Sequence, residues 1–197
     1  MYQRPVFNET DTGRIIALMR AHPFGLLVTA MPGLTASPIP FTVVETAEGF
    51  VLTGHLAAGN PQCAALSGEG MAVFSGPHAY ISPGWYRSGP AVPTWDYAAV
   101  HVIGRLQPIA GTEEIAASLR ALGTAFDPTG FDLDALPPDF RTRMMAGIRA
   151  FTLIPERVEA QWKMSQNRSA ADRQGVVAAL RAQGEGEVAD LVEQTLT

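Results

Sequence analysis

Ile15, Ile16, Leu18 and Met19 follow three capping side chains, Asn8, Thr10 and Asp11, and precede His22-Pro23; this spacing predicts a short helix ending at the His-Pro pair. The period then changes. Phe24–Ala30 is an apolar run, Pro32-Gly33 a turn signal and Ile39–Glu45 an extended segment, with a turn at Ala47-Glu48-Gly49 before a strand over Phe50–Gly54. Asn60 caps, and Pro61 starts, a short helix over Asn60–Ser67, and Met71–Ser75 is a further strand. A long loop rich in Pro, Gly and aromatic residues leads to a strand over Ala98–Leu106. Glu113–Phe126 places Ile115, Leu119, Leu122 and Phe126 on one helical face. A connector, Asp127–Asp139, then leads into a short helix reaching Arg149. Phe151–Ile154 and Val158–Trp162 form two strands broken at Pro155. Ser169 with Asp172 three residues on makes a capping box ahead of Val176, Val177 and Leu180, and Gly184 and Gly186 separate that helix from a last one ending near Leu196.

Seven or so short strands joined by turns predict a closed or nearly closed β-barrel with peripheral helices, an α+β fold. The 197 residues make a single domain, 1–197, with a C-terminal helical tail from about residue 169. Hydrophobic residues at 47% and charged residues at 17% suffice for a real core. The first ten residues, MYQRPVFNET, carry no apolar signal-peptide region, and no stretch approaches the ~20 apolar residues of a membrane span. A single cysteine, Cys63, excludes an internal disulfide and suits a reducing compartment, so a cytoplasmic location is expected. Cys63 falls inside a predicted helix, where a buried structural thiol is expected. The net charge of −5 argues against a broad DNA-binding surface, and Lys163 is the only lysine among 14 basic residues.

Four segments concentrate polar and aromatic groups. Thr53–Pro61 (TGHLAAGNP) lies at a strand-to-helix junction; it is either a phosphate cradle or a plain connection in which His55 and Asn60 cap and pack. Ser75–Tyr86 (SGPHAYISPGWY) fixes its backbone with prolines and glycines while offering flat apolar faces, as a planar cofactor needs, or else fills a barrel end or a dimer contact. In Val92–His101, period two puts Trp95, Tyr97 and His101 on one face and Thr94 and Asp96 on the other; His101 receives no catalytic role. Trp162–Ser169 (WKMSQNRS) offers Lys163 and Arg168 to a phosphate or acidic group, with Ser165, Gln166 and Asn167 as hydrogen-bond donors, or simply leads into the capped helix. The four histidines lack metal-ligand spacing, one cysteine excludes CxxC sites, and G-x-S-x-G, the P-loop and G-x-G-x-x-G are all missing, so no catalytic residue is assigned.

The wording and order of GHLAAGNPQ, FSGPHAYISPGWY, VPTWDYAAVHVIG and KMSQNRSAADRQGVVAAL, with MYQRPVF, HPFGLLVT and SPIPF ahead of them, resemble the PaiB family over nearly the full chain. The resemblance implies an FMN-binding split β-barrel, a homodimer with the flavin at the subunit interface, and a negative transcriptional regulator. DNA binding is implied by the family and opposed by the charge. His55, Asn60, Tyr80, Ser82, Trp85, Thr94, Trp95, Lys163, Gln166 and Asn167 are the expected flavin-side group, some supplied by the second subunit. Two positions depart from the family pattern. Ala58 stands where a basic residue helps hold the flavin phosphate, a charge-assisted contact of about 1.5–3 kcal/mol, and Asp96 stands where the family has Asn. The alternatives are an FMN-dependent oxidoreductase acting on a small molecule, or a flavin or haem carrier without turnover.

Overall fold

The computed structural model describes residues 1–2 and 4–196. Its helices are α1 (Thr12–Ala21), α2 (Thr112–Phe126), α3 (Pro138–Ala146), α4 (Ala170–Ala182) and α5 (Gly186–Glu193). Its strands are β1 (Phe24–Thr29), β2 (Thr35–Pro40), β3 (Thr42–Thr46), β4 (Gly49–Ala57), β5 (Glu69–Ile81), β6 (Thr94–Pro108) and β7 (Ile148–Lys163). The seven strands hydrogen-bond in the order β2-β1-β5-β6-β7-β4-β3. β1 pairs antiparallel with β2 and β5, and β4 with β3 and β7.

Several strands outrun the expected ones. The extended segment Ile39–Glu45 is two strands, because Phe41 turns inward to 1% exposure and gives its N–H to the Pro23 carbonyl at 2.9 Å. β4 runs on through His55 to Ala57, so the histidine belongs to a strand rather than to a strand-to-helix connection. Residues 76–81 and 94–97, expected as loop, are the ends of β5 and β6. The two strands expected around Pro155 are one, β7. Gly104 of β6 explains this: a Cβ there would overlap the Ile154 carbonyl and crowd the Glu156 N–H, so a bare backbone lets β7 pass Pro155 without breaking. The short helix after Asn60 is a 3-10 turn over Pro61–Ala65, capped as expected by Asn60, whose Oδ1 accepts the Gln62 N–H at 2.9 Å.

The chain forms two compact units. One comprises Met1–Leu18, Ser75–Val100 and Glu159–Thr197, and the other Met19–Phe74 and His101–Val158, so β5, β6 and β7 contribute a stretch to each. In the second unit Phe41 packs against Phe74 (centroids 5.3 Å apart) and Phe151 (6.3 Å), beside the fully buried Leu27, Leu52 and Leu153. A smaller cluster of Ala116, Leu133 and Met145, with Ile115, Leu119 and Leu136 against it, joins α2 to α3. Elsewhere in this unit Gln62 is buried against β1, donating to the Leu27 carbonyl (2.9 Å) and Thr29 Oγ1 (3.1 Å), while its Oε1 meets no donor among the described residues. In the first unit, α1 begins where Asp11 Oδ1 accepts the Arg14 N–H (2.9 Å). α4 begins where Ser169 Oγ accepts the Asp172 N–H (3.1 Å), and Val176, Val177 and Leu180 of α4 and Val188, Ala189 and Val192 of α5 are buried.

Candidate functional site

Alternation along β6 decides which side chains reach solvent in the first unit. Asp96, Ala98 and Val100 are buried, whereas Trp95 is 54% exposed and Tyr97 half-buried, as period two requires. The exposed Trp95 ring lies edge-on to Tyr80, itself 47% exposed (centroids 6.2 Å, 76°), and 6.1 Å from the ring of His78. Large aromatic surface left open in this way marks a place where something flat and apolar can lie.

Beneath this patch sits a buried charge. Asp96 is 0% exposed; its carboxylate accepts from Ser165 Oγ (2.7 Å) and Lys163 Nζ (3.2 Å). Burial pushes its pKa up from the usual carboxylate value, against the pull of Ser165 and the Lys163 charge. Lys163 also donates to Thr94 Oγ1 (2.8 Å) and to the Trp95 carbonyl, so all three ammonium hydrogens have partners on the Thr94–Asp96 stretch. The sole lysine is thus engaged inward and fixes the strand that presents Trp95. Ser165 holds its place with a left-handed backbone (φ 56°), the only positive φ outside glycine among the described residues. Gln166 folds back on the same turn: its Oε1 accepts the Met164 N–H (2.6 Å) and its Nε2 donates to the Trp162 carbonyl. Asn167 is exposed.

Between β5 and β6, Ser82 caps a 3-10 turn over Pro83–Trp85 by accepting the Gly84 N–H (3.3 Å). Trp85 and Tyr86 are half-buried, and the Arg168 guanidinium stacks 4.3 Å from the Tyr86 centroid. Asp172, 1% exposed, accepts the N–H groups of Arg87 (2.7 Å) and Ser88 (2.9 Å) and the Ser88 hydroxyl (2.6 Å). The Ser88 hydroxyl, followed by its N–H, holds that carboxyl well below the usual range. Eight of the ten expected site residues therefore belong to this unit: Tyr80, Ser82, Trp85, Thr94, Trp95, Lys163, Gln166 and Asn167. His55 and Asn60 belong to the other unit.

In that second unit His55 is half-buried, and burial lowers its pKa, so the ring is neutral at pH 7. Asn60 spends its oxygen on the 3-10 cap and its amide on Ser37 Oγ (3.1 Å). Cys63 is half-buried rather than buried and donates to the Ala57 carbonyl (3.4 Å). Thr53–Pro61 holds no lysine or arginine; the nearest cation in register is Arg149, the β7 partner of Leu56, which donates to the carbonyls of Ala146 (3.1 Å) and Ile148 (2.8 Å).

His78, Ser165 and Asp172 were not among the expected residues. His78 lies on the quoted motif and is legible there, whereas sequence spacing shows Asp172 only as half of a capping box. The partners of the Asp96 and Asp172 carboxylates lie 67 to 85 positions away in sequence, which no local pattern shows. The donor set of the first unit fits a flavin ring: open indole and phenol faces, with hydroxyl and amide groups on the same unit and the Asp96 carboxylate beneath them paired with Lys163.

Residues 1–157 match the family model described as "Putative FMN-binding domain". The protease synthase and sporulation protein PAI 2 of Bacillus subtilis (strain 168) is 31% identical over 205 residues, covering 100% of this chain and 98% of its own. Among solved structures, the flavocytochrome Anf3 of Azotobacter vinelandii superposes with a TM-score of 0.66 at 15% identity, covering 82% of this chain and 72% of its own. A FAD- and haem-binding protein of Mycobacterium smegmatis does so with 0.59 at 19%, covering 79% and 73%. The fold is the antiparallel split barrel that the family resemblance implied, with the peripheral helices that the strand and helix texture predicted. With a domain-length match and a full-length relative, the chain belongs to the FMN-binding PaiB family, and FMN is its cofactor.

Proposed function

We propose that this chain is a regulatory flavoprotein of the PaiB type, a single cytoplasmic domain with a helical tail that works as a homodimer. The observation that carries the flavin site is the open Trp95–Tyr80 pair, held by a saturated polar network rather than by loose loops. In this reading Trp95, Tyr80 and Trp85 wall the flavin ring, and Thr94, Ser82 and Asn167 offer hydrogen bonds at its rim. Lys163 and Gln166 act from below, the first fixing Thr94–Asp96 and the second closing the turn that carries Asn167. His55 and Asn60 stand on the second unit, where the neutral imidazole can accept or donate but adds no charge toward a phosphate. When bound, FMN supplies one- and two-electron chemistry, and the protein contributes binding and orientation.

The homodimer is supported by one sheet face. Phe24, Leu26 and Val28 of β1 alternate outward, in register with Pro38 of β2 and with Met71 and Val73 of β5. Phe24 is 69% exposed and Leu26 41%, and charge enters only at the margin, where Glu69 and Arg157 line a cleft with Val28 and Met71. Apolar surface of this kind is unusual on a monomer. Regulation through direct DNA contact by the tail is not supported: Arg181 is held by Asp190 and Glu193 (both 2.8 Å) and Arg173 by Thr195. Repression would then act through a partner protein whose binding the flavin site controls. Among the described residues no helix is long and apolar enough to cross a membrane.

A second reading, an oxidoreductase, is favoured by the exposure of the same rings, which leaves room for a small molecule beside the flavin. The absorption spectrum of the purified protein tests the cofactor. Bands typical of flavin, or tight uptake of added FMN, are expected; a colourless protein that takes up none overturns the reading. Bleaching by reduced nicotinamide with turnover would favour the enzyme over the regulator, and a haem band would favour a carrier.

A further inference from the structure

The Ser82–Ser88 segment, which carries Trp85, is gripped from one side by α4, and three contacts made by the turn ahead of α4 and by its first two turns converge on it. The Asp172 carboxylate accepts two backbone N–H groups and one hydroxyl from Arg87 and Ser88, all within 2.9 Å. One turn on, Gly175 faces the same segment so closely that a Cβ would overlap the Trp85 carbonyl oxygen. Before the helix, the Arg168 guanidinium covers the Tyr86 ring. Positions 172 and 175 share a helix face, so a single element sets both the depth and the register of the segment. A carboxylate with three charge-assisted donors is a strong clamp, and the lowered pKa of Asp172 agrees with that geometry. The helix lies beyond the residues matched by the family domain, which end at 157.

We propose that Asp172 and Gly175 are positioning residues of the flavin site: the helical tail holds the Ser82–Ser88 segment so that Trp85 meets the flavin ring. This rests on the flavin site proposed above. The tail is thus part of the cofactor site without touching the cofactor, and it is the element through which a partner bound to the tail would change flavin affinity.

The test uses the full chain and three variants, Ser88→Ala, Asp172→Asn and Gly175→Ala, with Asp190→Asn as a control on the exposed face of the tail. FMN affinity, the visible circular dichroism of bound FMN, and amide exchange at Arg87 and Ser88 in the flavin-free protein are measured, with thermal unfolding as the check on folding. Ser88→Ala, which removes one hydroxyl on an otherwise exposed residue, is the variant that keeps the test decisive if the other two fold poorly. Expected are about tenfold weaker FMN binding for Ser88→Ala and more for Asp172→Asn, an altered dichroism of bound flavin, faster exchange at 87 and 88, and wild-type behaviour of Asp190→Asn. Folded variants that bind FMN with wild-type affinity and dichroism, or that leave exchange unchanged, overturn the inference and leave the flavin reading standing. A wild-type protein that binds no FMN overturns both.

Discussion

Asp96 and Asp172 are both buried in the first unit, yet different partners face each carboxylate, and acid acts on them in opposite senses. Asp172 accepts three hydrogen bonds, so its folded pKa lies below the unfolded one; its contribution is complete above the ordinary carboxylate pKa and is lost only as pH falls toward the folded value. The Ser82–Ser88 segment therefore stays gripped into strongly acidic solution. Asp96 is dominated by desolvation, so its folded pKa lies above the unfolded one; between the two, the folded state binds more protons and stability falls as pH rises. Asp96→Asn removes that slope, and melting curves from pH 4 to 7 are expected to show the variant gaining on the wild type as pH rises. Lys163→Met does the reverse by leaving the buried carboxylate without its cation. Because Lys163 is partly exposed, the expected loss is about 2 kcal/mol, below the full value for breaking a buried pair. At this chain length that is roughly a 5 °C drop in Tm. Sequence spacing placed Asp96 on the face opposite Trp95, but it could not show that the only lysine returns from 67 residues away to meet it.

Among the elements, the strands tested local reading hardest. A proline normally ends a strand because it cannot donate to the ladder, and Pro155 was read in that way. β7 continues through it because its neighbour at Gly104 has no side chain to obstruct the Ile154 carbonyl. Gly104→Ala should force the two strands apart and cost about 3 kcal/mol, read as a shift in the urea midpoint. Gly33→Ala, with nothing near the new methyl group, should leave that midpoint unchanged. Helix starts were far more legible than strand ends. Asp11, Asn60 and Ser169 all cap as their positions suggested, since a cap bonds within three residues of itself. The strand extensions into His55, Tyr80 and Thr94–Tyr97 depend on which strand lies alongside, and that is not a local property.

For the whole molecule, the proposed dimer can be tested at the apolar face of β1. Leu26→Asp places a charge in its middle, and sedimentation should show a species of the 21.0 kDa chain mass where the wild type runs at twice that. A wild type that sediments as a monomer at micromolar concentration would count against the assembly. The net charge of −5 and the internally paired arginines of the tail also predict DNA binding that is weak and nonspecific. By itself, the sequence determined the strand-rich barrel class, the helix starts, the family and hence FMN. Each of these is written in short-range periodicity, in caps, or in runs of eight or more residues. Only the tertiary structure decided what holds the residues proposed for the flavin side. The ties of Lys163 to Thr94, of Ser165 to Asp96 and of Asp172 to Ser88 span 69, 69 and 84 positions. Such partners are chosen by strand order and helix packing, which bring distant residues together in ways that no local pattern encodes.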